Sequence, residues 1–176
     1  NYGWDWTSGN MQEGTWSPRL TVADHSGLTN TSTLFIGIDR TGPTVGSVVV
    51  GDGDAWQQSG TVSVSGLMTE ADDGQGSGVA SVQYALGDED WSTTSSDSLS
   101  LTLEEGVHSL HLRAVDRVGN IGESTTVTVR VDQTAPIGLS WTVDELTTSR
   151  IGPANVSFNA EDAHSGIDQS ASYIQY

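Results

Sequence analysis

The sequence predicts an all-β protein, Greek-key sandwiches of two packed sheets repeated in tandem, and three observations predict it. Between Thr44 and Val131 apolar residues alternate with polar ones, the period-2 signature of half-buried strands. Turn residues, 21 Gly among them, interrupt the alternation at short intervals, and helical spacing is nearly absent. Stretches of the chain also match one another at spacings of 92 and 93 residues.

Each element follows from its pattern. Strand A is expected near Val45 to Val50, and strand B near Thr61 to Ser65 with Val62 and Val64 inward. Strand C runs from Val79 to Leu86 and turns Val82, Tyr84 and Leu86 to the core. After a Gly87-Asp88 turn, Trp91 is expected to plug the core. Strand E is the clearest, with Leu99, Leu101 and Leu103 on one face and Ser98, Ser100 and Thr102 on the other. A turn at Glu105-Gly106 leads into strand F, where Leu110, Leu112 and Ala114 point inward and His111 and Arg113 outward. Strand F closes at Asp116 to Asn120, and strand G then places Val127, Val129 and Val131 inward. About seven short strands in roughly 90 residues, each with one apolar face, need a second sheet to cover that face.

The repeats set the domain organisation. Leu20-Thr21-Val22-Ala23-Asp24 aligns with Leu112-Arg113-Ala114-Val115-Asp116, and Asp39-Arg40-Thr41-Gly42-Pro43 with Asp132-Gln133-Thr134-Ala135-Pro136. Ser77-Gly78-Val79 recurs as Ser165-Gly166-Ile167, and Val82-Gln83-Tyr84 as Ile174-Gln175-Tyr176. The expected division is the back half of one repeat in 1–43, a whole repeat in 44–136 and the front half of another in 137–176. Pro43 and Pro136 mark the junctions, where a fixed φ limits hinge freedom.

As a set, Ser77-Gly78-Val79, Tyr84, Trp91, Gly106, Ala114-Val115-Asp116, Gly119-Asn120 and Thr134-Ala135-Pro136 resemble the bacterial and archaeal immunoglobulin-like (Ig-like) repeats of large cell-surface proteins. The resemblance covers the middle repeat and part of each flank; the first copy departs from it at His25-Ser26 and lacks an Asn after Gly27. It implies an Ig-like sandwich, export to an extracellular surface, and a role in display, adhesion or envelope architecture.

Composition narrows the partners. The chain carries 23 Asp and Glu against 6 basic residues, a net charge of −17, and it contains no Lys. Such a surface repels nucleic acid and anionic lipid, attracts divalent cations, and suits a salt-adapted source. Without Cys there is no disulfide framework or thiolate metal site, and no apolar run is long enough to insert in a membrane. Asn30-Thr31-Ser32 and Asn155-Val156-Ser157 match the acceptor pattern for N-glycosylation.

Asp116 with Gly119-Asn120 reads first as a cap of the F to G turn, its carboxylate accepting backbone N–H bonds. The alternative is Ca²⁺, a hard cation that takes oxygen ligands only. Its candidate ligands are Asp72, Asp73, Asp116 and Asp132 at one end of the sandwich, with comparable pairs at Asp24 with Asp39 and Glu161 with Asp162. Neither a nucleophile elbow nor a zinc-protease motif occurs, and His108 and His111 are three apart on a strand, facing opposite ways. A non-catalytic structural or adhesive module follows. Tyr2, Trp4 and Trp6 at alternate positions share a face and read first as core of the incomplete first repeat; the rival reading stacks sugars on that face, as in a carbohydrate-binding accessory module. The expected partners are neighbouring repeats of the same or adjacent chains: the half repeats read first as an excerpt of a longer array, and alternatively as halves that complete each other in a head-to-tail homopolymer.

Overall fold

The computed structural model of the chain describes residues 9, 11–53, 55–69, 71–143 and 155–175. The strands before residue 60 are β1 (Gly14–Trp16), β2 (Arg19–Ala23), β3 (Thr29–Thr33), β4 (Ile36–Ile38), β5 (Thr44–Val45) and β6 (Val49–Val50). There follow β7 (Thr61–Ser65), β8 (Ala71–Asp72), β9 (Val79–Leu86), β10 (Ser92–Thr94), β11 (Ser98–Thr102), β12 (Gly106–Asp116) and β13 (Thr125–Val131). The last are β14 (Ile137–Val143) and β15 (Val156–Glu161). The fold is all-β, every pairing between strands is antiparallel, and no helix occurs among the described residues.

Two sheets organise the middle of the chain: a four-stranded one in the order β10-β9-β12-β13 and a three-stranded one in the order β11-β7-β6. The alternation anticipated in the sequence decides which side chains meet. Val62, Val64 and Leu101 from one sheet join Val82, Leu110, Leu112, Ala114, Val129 and Val131 from the other in a single buried cluster. Tyr84, Leu86, Leu99 and Val127, expected inward, pack against it. Each buried Val or Leu contributes about 1.5–3 kcal/mol relative to exposure, which makes this sandwich-like cluster the main source of order in the chain.

Two expectations are corrected, and one strand is added. Strand A is two strands: β5 pairs with β8, and β6 pairs with β7 in the other sheet. Gly46, Ser47 and Val48 lie between them, and a glycine in a strand interior weakens the strand, so the ladder breaks there and the two short strands pair in different sheets. β10 was not anticipated, because Ser92-Thr93-Thr94 has no apolar alternation; its pairing to β9 covers an edge all the same. Trp91 is not a core plug. It is 37% exposed, and the Arg113 guanidinium carbon lies 4.0 Å from its ring centroid. Arg113 also donates from Nε to Gln83 Oε1 at 2.8 Å, so a cation–π contact holds the ring on the sheet's outer side.

The flanking hairpins repeat registers found in the middle. Gly14 pairs with Ile38 and Leu20 with Ser32, as Gly106 pairs with Val131 and Leu112 with Thr125. Thr142 pairs with Ser157 and Val143 with Val156, as Val49 pairs with Ser65 and Val50 with Val64. The cover differs: Leu112 is fully buried, whereas Leu20 is 52% exposed and Trp141 69% exposed.

Candidate functional site

The feature most developed beyond the core is a set of carboxylates that tie turns and linkers to backbone N–H groups. At the end of β12 the register slips between Val115 and Asp116, leaving Asp116 buried. Its Oδ1 accepts the N–H groups of Val118, Gly119 and Asn120 at 2.9, 2.6 and 2.8 Å, and its Oδ2 accepts Asn120 Nδ2 at 2.7 Å. Gly119 supplies the φ of 96° that bends three N–H groups onto one oxygen. Burial pushes the Asp116 carboxyl up, but the bonds from Asn120, Val118 and Gly119 outweigh it and hold the group below its ordinary value. Asp24 does the same for the β2–β3 turn, accepting from Ser26 N and Leu28 N at 2.8 and 2.9 Å, with Gly27 at φ 88°. The Ser26 hydroxyl, then the Leu28 N–H, lower its carboxyl.

The linkers use a second device, and use it twice. Glu13 accepts the Arg40 N–H and the Thr41 hydroxyl; Glu105 accepts the Gln133 N–H at 2.7 Å and the Thr134 hydroxyl at 2.6 Å. The Asp before each of these residues reaches forward. Asp39 Oδ2 accepts Ser77 N at 2.7 Å, and Asp132 Oδ2 accepts Ser165 N at 3.0 Å. The following Gly is held by a loop carboxylate, Gly78 N on Asp73 Oδ2 at 2.6 Å and Gly166 N on Asp162 Oδ1 at 2.7 Å. Glu13 is lowered chiefly by the Thr41 hydroxyl and Asp132 chiefly by Ser165, with His164 adding a favourable charge.

Close packing accompanies the first linker. A Cβ on Gly42 would stand 2.3 Å from the Ile121 carbonyl carbon, and one on Gly122 would stand 1.6 Å from the Pro43 oxygen. Pro43 is accordingly buried, whereas Pro136 at the second linker is exposed. There the Trp56 and His164 rings meet edge-on at 6.5 Å.

Of the candidate calcium ligands, the structure brings together Asp39, Asp73 and Asp116, with one ligand atom of each within 4.8 Å of the others. Asp72 lies outside that group, its Oδ1 accepting Gly74 N at 2.8 Å. Asp132 does not join Asp116, because β13 runs antiparallel to β12 and ends opposite Gly106, at the far end of the hairpin. The same geometry separates Asp39 from Asp24. Asp162 caps its own loop, and Glu161 closes β15 opposite Ile137. Ca²⁺ takes 6–8 oxygens. Here Asp116 Oδ1 is already committed to three N–H groups and Asp73 Oδ2 to one, so the carboxylates alone cannot close such a shell.

Asn30 and Asn155 are both exposed. Tyr2, Trp4 and Trp6 lie outside the described residues. Sequence reading missed Glu13 and Glu105 as linker clamps, although the recurrence of Glu-Gly at Glu13-Gly14 and Glu105-Gly106 carried the signal. Compared with known proteins, the chain matches no protein-family model and no curated protein sequence.

Proposed function

We propose that the chain is a non-catalytic stretch of tandem Ig-like Greek-key sandwich repeats, divided as 1–43, 44–136 and 137–176, serving as an extracellular structural or adhesive module of a surface stalk, sheath or filament. The observation that carries this reading is the duplicated linker clamp. Glu13 and Glu105 grip the residues after the linker Asp, and Asp39 and Asp132 grip the Ser of the next Ser-Gly. A linker bonded on both sides transmits direction from one unit to the next, which a spacer needs and a tethered catalytic domain does not. The acid-rich surface keeps such an array soluble and self-repelling in salt.

The test is small-angle scattering on the chain and on a Glu105→Ala, Asp132→Ala double variant. The reading expects one sharp inter-unit spacing in the parent and a broadened distribution in the variant. An equally broad distribution in both would refute it.

Calcium, the hard cation that the acid-rich loops suggest, is a separate proposal, and Asp39, Asp73 and Asp116 are the carboxylates on which it is tested. Its test is whether millimolar Ca²⁺ raises the melting temperature beyond what NaCl of equal ionic strength does, and whether Asp73→Asn removes the difference.

A further inference from the structure

The two sheets of the middle unit differ on the sides they turn away from the core. Between Val62 and Val64, and around Leu99 and Leu101, β7 and β11 turn only Ser and Thr outward. The four-stranded sheet turns out Gln83 from β9, Thr93 from β10, Arg113 from β12 and Arg130 from β13, and no outward position of its strands is acidic. In a chain of 23 acids and 6 bases, this face is the exception. It is also a finished outer surface, since Val82, Leu110, Leu112 and Val129 of the same strands fill the core behind it.

Arg113 is prepared for a carboxylate. Its guanidinium lies over the Trp91 ring and its Nε donates to Gln83, which fixes the plane of the group and uses one of its five N–H donors. The four N–H groups of Nη1 and Nη2 remain, and among the described residues no carboxylate pairs with them. A fork held in this way matches the two oxygens of a carboxylate and loses little further freedom on binding one. The matching acid is on the same chain. Asp88-Glu89-Asp90 is its only run of three acids; it forms the turn between β9 and β10, and all three residues are exposed. Within one molecule the run does not reach the fork. The turn is tied to β12 where Gly87 N donates to the Ser109 carbonyl at 2.8 Å, and Arg113 is four residues further along that strand, roughly 13 Å away.

We propose that the outward face of the β10-β9-β12-β13 sheet docks the β9–β10 turn of a second copy, with Arg113 forking a carboxylate of Asp88-Glu89-Asp90 and Arg130 adding charge of the same sign. The inference rests on the reading of the chain as an array-forming module and names how neighbouring copies meet side by side. Every copy carries both the face and the turn, so the contact is heterologous and propagates. Its strength is set by salt. Two chains of −17 repel over a screening length of about 30 Å at 0.01 M salt, which shrinks to about 10 Å at 0.1 M while a contact at hydrogen-bond distance persists. At 1 M the length is about 3 Å and the contact itself is weakened, so association is greatest at intermediate salt, roughly 0.1–0.3 M.

The test is light scattering on the whole chain, over a concentration series reaching roughly 1 mM, the range of weak contacts, at low, intermediate and high NaCl. The parent's mass is expected to rise with concentration, most steeply at intermediate salt. Arg113→Gln weakens the association about fivefold, the upper end for an exposed ion pair. A triple variant, Asp88→Asn, Glu89→Gln and Asp90→Asn, weakens it as well, although removing three negative charges lessens the repulsion between copies. Mixed together, the two variants associate again, as dimers that do not grow, because one supplies the turn and the other the face. A parent that is monomeric at every salt concentration, an association that either variant leaves unchanged, or a mixture that stays monomeric would overturn the proposal. The repeat reading would survive that result, since its own test is the inter-unit spacing within one chain.

Discussion

Leu112 and Leu20 make a matched pair in which chemistry and hairpin register are the same and only the cover differs. Replacing Leu112 by Ala removes three carbon atoms from a site with no exposure, among Val62, Val64 and Val129. At about 0.8 kcal/mol per buried carbon the transfer loss is about 2.5 kcal/mol, and a partly collapsed cavity raises the total to roughly 3–4 kcal/mol. Leu20→Ala removes the same atoms from a side chain already 52% exposed, with no enclosed cavity left behind, so about 1 kcal/mol is expected. The comparison is made by urea denaturation in dilute solution, below any association, with both variants followed through the main cooperative transition. Against a total of roughly 5–15 kcal/mol, the first loss moves the midpoint strongly and the second barely. Equal shifts, or a loss under about 1 kcal/mol at Leu112, would refute the assignment of the core to the middle unit.

Further outcomes follow from the linkers and from charge. Gly42→Ala forces a Cβ to 2.3 Å from the Ile121 backbone, so it lowers the melting temperature and speeds amide exchange at Ile121 and Gly122, an overpacking cost of about 1–3 kcal/mol. Asp116, Glu13 and Asp132 all have carboxyls lowered in the folded state, so the stability they contribute is complete above their ordinary values, 3.8 for Asp and 4.5 for Glu. That stability is lost as pH falls through the lowered folded values; a denaturation series from pH 6 downward shows the decline, and Asp116→Asn flattens it. The net charge of −17 makes the urea midpoint rise between roughly 0.01 and 1 M NaCl, as screening relieves self-repulsion; a midpoint independent of salt contradicts that.

Where the sequence was legible, the reason is burial on one face of a strand. Val62 and Val64, Leu99 to Leu103, Leu110 to Ala114 and Val127 to Val131 alternate because one side of each strand meets the core, and all of them pack in or against it. β10 left no such mark, since an edge strand of Ser and Thr buries nothing that periodicity can register. Trp91 was misplaced because its size suggested burial, whereas the outward Arg113 of a neighbouring strand gives it a partner on the surface. The turn role of Asp116 was legible from Gly119-Asn120. The grouping of Asp39 with Asp73 and Asp116 was not, because it depends on which end of an antiparallel hairpin each loop occupies. Glu13 and Glu105 stood in plain turn dipeptides, and only the repeated pairing to Thr41 and Thr134 reveals their work.

Amide hydrogen exchange on the whole chain, resolved to peptides, tests the central claim most directly, that 44–136 closes as one unit between two uncovered flanks. The account predicts that amides of β7, β9, β12 and β13 exchange only through global unfolding, while those of β2, β3, β14 and β15 exchange orders of magnitude faster in dilute solution. Uniform protection from Arg19 to Glu161, or fast exchange at Leu110 to Ala114, would contradict it.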